Sequence, residues 1–198
     1  QAAEDKAYKI IGVWENGFRQ ITNNVRPIVV PADLEGVKLR TPNGIWRVEM
    51  FKSYGANPAP MALSEAFVAL QTGAMDGQEN PLVQIYSQRF HEVQDYLSIT
   101  NHVYTPAYVL AGARWNRLPE EVRNVLIETA EEVEAFALQQ GEMLDNSLVE
   151  KMKAEGMQVN KADQKAFVAG SDAIYAKFAD EVEGGKKMLD KVSQLRKQ

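Results

Sequence analysis

Between Pro119 and Glu155 the chain has no internal proline, and apolar residues recur at Val122, Val125, Leu126, Val133, Phe136, Leu144, Leu148 and Met152. That spacing predicts one helix over 119–155, and at ~1.5 Å per residue it would be about 55 Å long. The single internal glycine, Gly141, costs about 1 kcal/mol relative to alanine and does not end it. A helix this long exceeds the width of one small domain, so it must span two units or kink. That requirement limits the folds open to a chain of 198 residues.

The rest of the chain alternates short extended runs with helices of about ten residues, the pattern of an α/β fold. Gln1 to Ala7 reads as a helix tail, and Tyr8 to Trp14 as a buried strand closed by the turn residues Glu15-Asn16-Gly17. Phe18 to Thr22 is a second extended piece. Pro27 and Pro31 confine Ile28-Val29-Val30 to an edge or a linker. A single turn at Ala32–Gly36 precedes a short strand, Val37 to Arg40. Ile45 to Tyr54 has helical spacing and stops at Gly55, and Ala56 to Met61, with two prolines, is extended. Ser64 is read as the cap of a helix to Gln71, with Phe67 and Leu70 on its inner face. Ala74 to Asn80 is a connector or strand, and Pro81 opens a helix over 81–90. Two strands follow, Tyr96–Asn101 and Tyr104–Ala113, the second apolar on both faces and therefore expected at the centre of a sheet. Beyond the long helix come a strand at Met157–Val159 and helices near 163–180 and 185–196.

Charge and residue types exclude several functions. With 22 Lys+Arg against 27 Asp+Glu the formal net charge is −5, which argues against a nucleic-acid partner. There is no cysteine, hence no thiolate metal site or thiol nucleophile. His91 and His102 fall in different predicted elements and read as a solvated helix-end residue and a loop residue, so no metal and no cofactor is expected. No phosphate loop, dinucleotide fingerprint or nucleophile elbow occurs. No apolar run approaches the ~20 residues of a membrane span, and no signal-type segment opens the sequence. Asp76 and Glu79 would be the only acid/base pair to consider, with a turn and cap role as the plainer reading. Arg19 and Arg40 sit at the ends of extended pieces among apolar neighbours. There a guanidinium fork either matches a ligand carboxylate or makes an ordinary ion pair.

Four segments together carry a resemblance: Trp14-Glu15-Asn16-Gly17-Phe18-Arg19-Gln20, Leu34 to Pro42, Gly55-Ala56-Asn57-Pro58-Ala59-Pro60-Met61, and Ser64 to Pro81 with its Asp76-Gly77-Gln78-Glu79-Asn80 core. The chain resembles the periplasmic solute-binding proteins of tripartite ATP-independent periplasmic (TRAP) transporters, the dicarboxylate-binding type, over nearly its whole length. The resemblance implies an α/β, periplasmic-binding-protein-like two-lobe fold with a long helix spanning both lobes. One lobe would take 18–105 and 146–198; the other, 1–17 and 106–145, would be incomplete. It also implies a binder and not an enzyme: a periplasmic protein that captures a small organic acid and delivers it to TRAP membrane permease subunits. By the same resemblance Arg40 forms the salt bridge to the ligand carboxylate, Arg19 and Asn80 add polar contacts, and Phe67 lies near the pocket wall. Trp46 either shapes the pocket or packs on its own helix. Family members are longer, so the missing N-terminal segment should leave apolar sheet surface exposed, and this chain alone should bind weakly, associate with itself or need the missing piece. A ligand-sensing domain of a signalling receptor and an enzyme using Asp76 and Glu79 are the alternative readings.

Overall fold

The structure of the protein, a computed structural model, describes residues 8–195; the helix tail expected over 1–7 lies outside the described residues. Its frame is a pair of long antiparallel strands, β1 (Lys9–Asn23) and β5 (Tyr96–Ala111). Each was expected as two pieces, and each is continuous. In β1 the Glu15-Asn16-Gly17 turn signal is absorbed as a register break, with Gly17 at φ 98° supplying the left-handed conformation a bulge needs. In β5 the bend falls at Asn101, φ 45°. There the ladder is replaced by a side chain: Gln20 Oε1 accepts from the backbone N–H of Thr100 at 2.9 Å and of Asn101 at 3.0 Å.

Four shorter strands complete one sheet in the order β3-β2-β4-β1-β5-β6. They are β2 (Lys38–Thr41), β3 (Asn57–Pro60), β4 (Gly77–Pro81) and β6 (Gln158–Lys161). The prolines at 58 and 60 place β3 at an edge, where missing N–H donors cost least. The expected central position of Tyr104–Ala113 is not found. β6 pairs only Tyr96–Ile99, so among the described residues strand β5 bonds β1 on one side alone from Val103 to Ala111. The apolar residues that suggested burial there, Tyr104, Tyr108 and Leu110, are exposed.

Helices cover both faces of the six-stranded end. α1 (Ile45–Ser53) and α5 (Gln164–Gly170) pack over Ile21, Leu39, Phe51, Tyr54 and Phe167. α2 (Leu63–Gln71), α3 (Leu82–Ser87) and the C-terminal part of α4 (Glu120–Ala154) pack over Leu70, Leu82, Leu97, Leu148 and Met152. Strand alternation explains the division, since Ile21 and Thr22 point to opposite faces and Thr22 pairs with Leu97. α2 begins one residue before the expected cap: Ala62 is its N-cap and Ser64 lies inside its first turn. α3 ends early because Arg89 turns left-handed, φ 59°, to bury Phe90 in a 3₁₀ turn. The helix expected over 163–180 is two, α5 and α6 (Asp172–Glu181), parted at Ser171. The Ser171 hydroxyl donates to Phe167 O at 2.8 Å and meets Tyr54 Oη at 2.6 Å, a side-chain arrangement that competes with the helical ladder. α7 (Gly185–Leu195) closes the described chain.

α4 runs unbroken for 35 residues, as its periodicity predicted. It crosses β1 where Gly141 lies directly under the Glu15 side chain, an approach that leaves no room for a Cβ. Toward its N-terminal end Val122, Val125, Leu126 and Phe136 are exposed, as are Ile10 and Tyr108 on the strands beside it. The expected exposed apolar surface is therefore present.

Candidate functional site

β4 carries three polar residues in a row, Gln78-Glu79-Asn80, yet every one of its positions is buried. Burying such a strand is tolerable only if its side chains find partners. Gln78 Nε2 donates to Thr22 Oγ1 at 2.9 Å, and Asn80 Nδ2 donates to Gln78 Oε1 at 2.6 Å. Glu79 points to the other face, and it is fully buried. Its Oε2 receives Arg19 Nε at 2.5 Å, Arg47 Nη1 at 2.8 Å and His102 Nε2 at 3.1 Å.

These bonds fix the protonation states. A carboxylate offers only acceptors, so His102 carries its hydrogen on Nε2 and its Nδ1 accepts from Thr100 Oγ1 at 2.7 Å. Burial pulls His102 below the usual imidazole value against the opposing pull of Glu79, and the ring is neutral. Burial alone would raise Glu79. The hydrogen bonds from His102 and Arg19, with the Arg19 charge, overcome it and hold the carboxyl down at about 2.

The register assembles the rest. Arg40 pairs with Gln78 across β2 and β4, and so shares a face with Gln78 and Asn80. Arg19 lies opposite Pro81 at the last pair of β1 and β4. From there it reaches round the strand end, its Nη2 donating to Glu79 O at 2.7 Å and to Asn80 Oδ1 at 2.9 Å. The structure thus brings together three of the residues singled out by sequence: Arg40, Arg19 and Asn80. For Arg19 the ordinary ion pair is found, with Glu79.

Arg40 differs. It is only 2% exposed, and its two hydrogen bonds, from Nε at 3.0 Å and Nη2 at 2.6 Å, both go to the backbone carbonyl of Met61. Among the described residues no carboxylate pairs with it. Burial lowers its pKa, partly offset by Glu79; a guanidinium nonetheless stays charged. Three guanidiniums, Arg19, Arg40 and Arg47, thus surround one carboxylate, and the surplus is positive.

Phe67 and Trp46 sit elsewhere. Phe67 is half-buried against the core around Leu70 and Leu97. Trp46 packs edge-on against Phe178 with ring centroids 5.2 Å apart, beside a cavity of about 320 Å³ that Met50, Val103 and Leu189 also line. Neither histidine fits its expected place. His102 is in a strand with its side chain fully buried, and His91 stacks on Tyr86 at 4.5 Å and pairs with Glu155 at 3.2 Å. Asp76 and Glu79 do not share a pocket: Asp76 Oδ2 accepts from Lys38 N at 2.8 Å, the turn role expected of it. Glu79, by contrast, is no cap. Arg47 and His102 were missed as members of this cluster. The one signal available was a run of polar residues, Gln78-Glu79-Asn80, inside an otherwise regular β pattern.

Comparison with known proteins identifies the family. A family model described as "Bacterial extracellular solute-binding protein, family 7" matches residues 1–181. The chain belongs to this family. A relative, the 2,3-diketo-L-gulonate-binding periplasmic protein YiaO of Escherichia coli (strain K12), is 34% identical over 98% of this chain and 60% of its own length. Among solved structures, a TRAP periplasmic solute-binding protein from Polaromonas sp. JS666 bound to D-erythronate is 38% identical, with TM-score 0.84 over 90% of this chain and 59% of that one. Another, from Chromohalobacter salexigens with bound D-glucuronate, is 28% identical with TM-score 0.93, covering 98% and 65%. The chain therefore has the fold of the two-lobe TRAP binding proteins and spans about 60% of the length of the relatives it matches.

Proposed function

We propose that this chain captures a small organic acid of the sugar-acid class, with Arg40 as the fork for its carboxylate. The protein to which it belongs would work in the periplasm and hand the ligand to a TRAP-type membrane permease. One observation carries this reading: a guanidinium 2% exposed, held from one side by a backbone carbonyl and, among the described residues, paired with no acid. A buried charge without a counter-ion is costly, and an anionic ligand removes the cost. Among the described residues Arg40 Nη1 has no hydrogen-bond partner, and Asn80, on the same face, spends one of its two amide hydrogens on Gln78 and has the other to offer. Arg19 then positions Asn80, and Glu79, Arg47 and His102 form the support behind it, while Phe67 and Trp46 pack in their own clusters away from the fork. Sugar acids are the ligands named for similar proteins, erythronate and glucuronate among them.

Binding, not turnover, is the chemistry this arrangement favours. Glu79 is ionised down to about pH 2 and its Oε2 already receives three donors, so near neutral pH it neither gives nor takes a proton. In this reading the lobes divide at 17/18, 105/106 and 145/146, where β1, β5 and α4 all cross, and ligand closes them by hinge motion.

Calorimetric titration of the chain with D-glucuronate and D-erythronate, at up to millimolar acid, tests the reading. Arg40→Ala should weaken binding at least about 30-fold, the equivalent of about 2 kcal/mol. An Arg40→Ala protein that binds within about threefold of the wild type would remove the carboxylate fork from the mechanism.

A further inference from the structure

The last helix does not belong to the sheet or to the arginine cluster, and it lies beyond residues 1–181, where the family match ends. α7 is anchored at two points. Gly185 is buried so closely on the Phe178 carbonyl that no Cβ would fit, and Leu189 lines the cavity beside Trp46 and Phe178. With those contacts setting its rotation, a second row of apolar residues faces outward: Met188 is 57% exposed, Val192 49% and Leu195 59%. At 3.6 residues per turn the three form one stripe, and Lys187 and Lys191, both exposed, run along its free border. The surrounding charge is distinctive. From 185 to 198 the sequence carries five Lys and Arg against one acid, Asp190, in a chain whose formal net charge is −5.

We propose that α7 is a docking element for an anionic lipid surface, lying in the plane of the interface with Met188, Val192 and Leu195 among the acyl chains and Lys187 and Lys191 at the headgroups. An exposed apolar stripe bordered by lysines on a short helix of low overall hydrophobicity is the composition such surfaces select. Charge complementarity points the same way. The acidic remainder of the protein is repelled by an anionic bilayer, so contact would be confined to this basic end and would fix the orientation of the molecule. Among the described residues no helix is long and apolar enough to cross a membrane. The proposal does not depend on the identity of the bound acid.

Co-sedimentation with vesicles of phosphatidylglycerol and phosphatidylethanolamine, and with vesicles of phosphatidylcholine alone, tests it. The chain should partition onto the anionic vesicles at least about tenfold more strongly, and the preference should vanish as salt rises from about 50 to about 300 mM. Lys187→Glu with Lys191→Glu changes two exposed side chains away from the α6 contact and should abolish the preference. Met188→Ser, Val192→Ser and Leu195→Ser together should cut anionic partition about tenfold, with an unchanged circular dichroism melt. Equal partition onto both vesicle types, no partition at millimolar lipid, or wild-type binding by the charge variant overturns the proposal. So does a dimer in sedimentation velocity that the serine variant dissociates, which would assign the stripe to a second copy of the chain.

Discussion

Replacing Glu79 with glutamine asks whether one buried carboxylate holds the arginine cluster together. The wild-type carboxylate accepts from Arg19, Arg47 and His102, and its pKa is lowered from the ordinary 4.5 to about 2. A carboxyl whose folded value is depressed contributes stability that is fully present above its unfolded pKa and is lost as pH falls through the folded one. Here that window runs from 4.5 down to about 2. A shift of this size corresponds to about 3 kcal/mol at neutral pH, and breaking a buried pair by removing one partner costs ~3–5 kcal/mol. Glutamine keeps one acceptor oxygen but turns an NH₂ group toward donors and leaves Arg19 and Arg47 unpaired. The expected loss is therefore about 3 kcal/mol near pH 7. Urea unfolding followed by tryptophan fluorescence, near pH 7 and in steps down to about pH 2.5, reads both the loss and its pH dependence. The wild-type advantage should shrink through the acid window, and adding Arg47→Met should recover about 1–2 kcal/mol by removing a stranded cation. A loss below about 1 kcal/mol, or an advantage that does not change with pH, would refute the account of Glu79 as the counter-charge.

Three other substitutions follow from particular contacts. Arg40→Lys keeps the charge and loses the planar fork, so calorimetry should show at least a tenfold (~1.4 kcal/mol) loss of acid binding; equal affinity would mean that a point charge suffices. Gly141→Ala should lower the melting temperature even though alanine is the better helix former by about 1 kcal/mol, because its Cβ would collide with Glu15; a rise would show that Glu15 swings clear. Asp145, half-buried and close to Glu15, has its pKa raised from 3.8 to about 6, first by burial and then by that charge. The native state therefore holds this proton more tightly than the unfolded chain, and stability falls as pH rises from 3.8 through about 6. Asp145→Asn should thus stabilise the protein near pH 7 by about 1 kcal/mol, after allowance for solvent screening, and have no effect near pH 4. Melting curves with the same difference at both pH values would contradict this.

How much was legible in the sequence depended on the range of the interaction. The α4 helix declared itself through apolar spacing over 35 residues, because helical hydrogen bonds connect near neighbours and one glycine costs little. The extended run with Pro58 and Pro60 was legible as extended, and the sheet then places it at an edge, where residues that cannot donate to a ladder cost least. Glu15-Asn16-Gly17 and Asn101 were local signals of another kind. Each marks a departure from extended backbone, and a turn and a bulge use the same left-handed residue. Only the partner strand decides between them, and here Gln20, distant in sequence, supplies the bonds that keep β5 continuous.

The family motifs led to Arg40, Arg19 and Asn80, but the two arginines look alike in their local sequence. Each ends an extended piece beside turn residues. Their difference arises in three dimensions: Arg19 meets Glu79, sixty residues away, whereas Arg40 meets a carbonyl and no acid. Arg47 and His102 were unreadable for the same reason, since one is an ordinary helix residue and the other lay in a predicted gap between strands. Chain periodicity determined the elements, because their energetics are local. Which charges are buried, and which of those lack a counter-ion, was decided only by tertiary structure, because desolvation and ion pairing depend on what surrounds a side chain, and not on what precedes it.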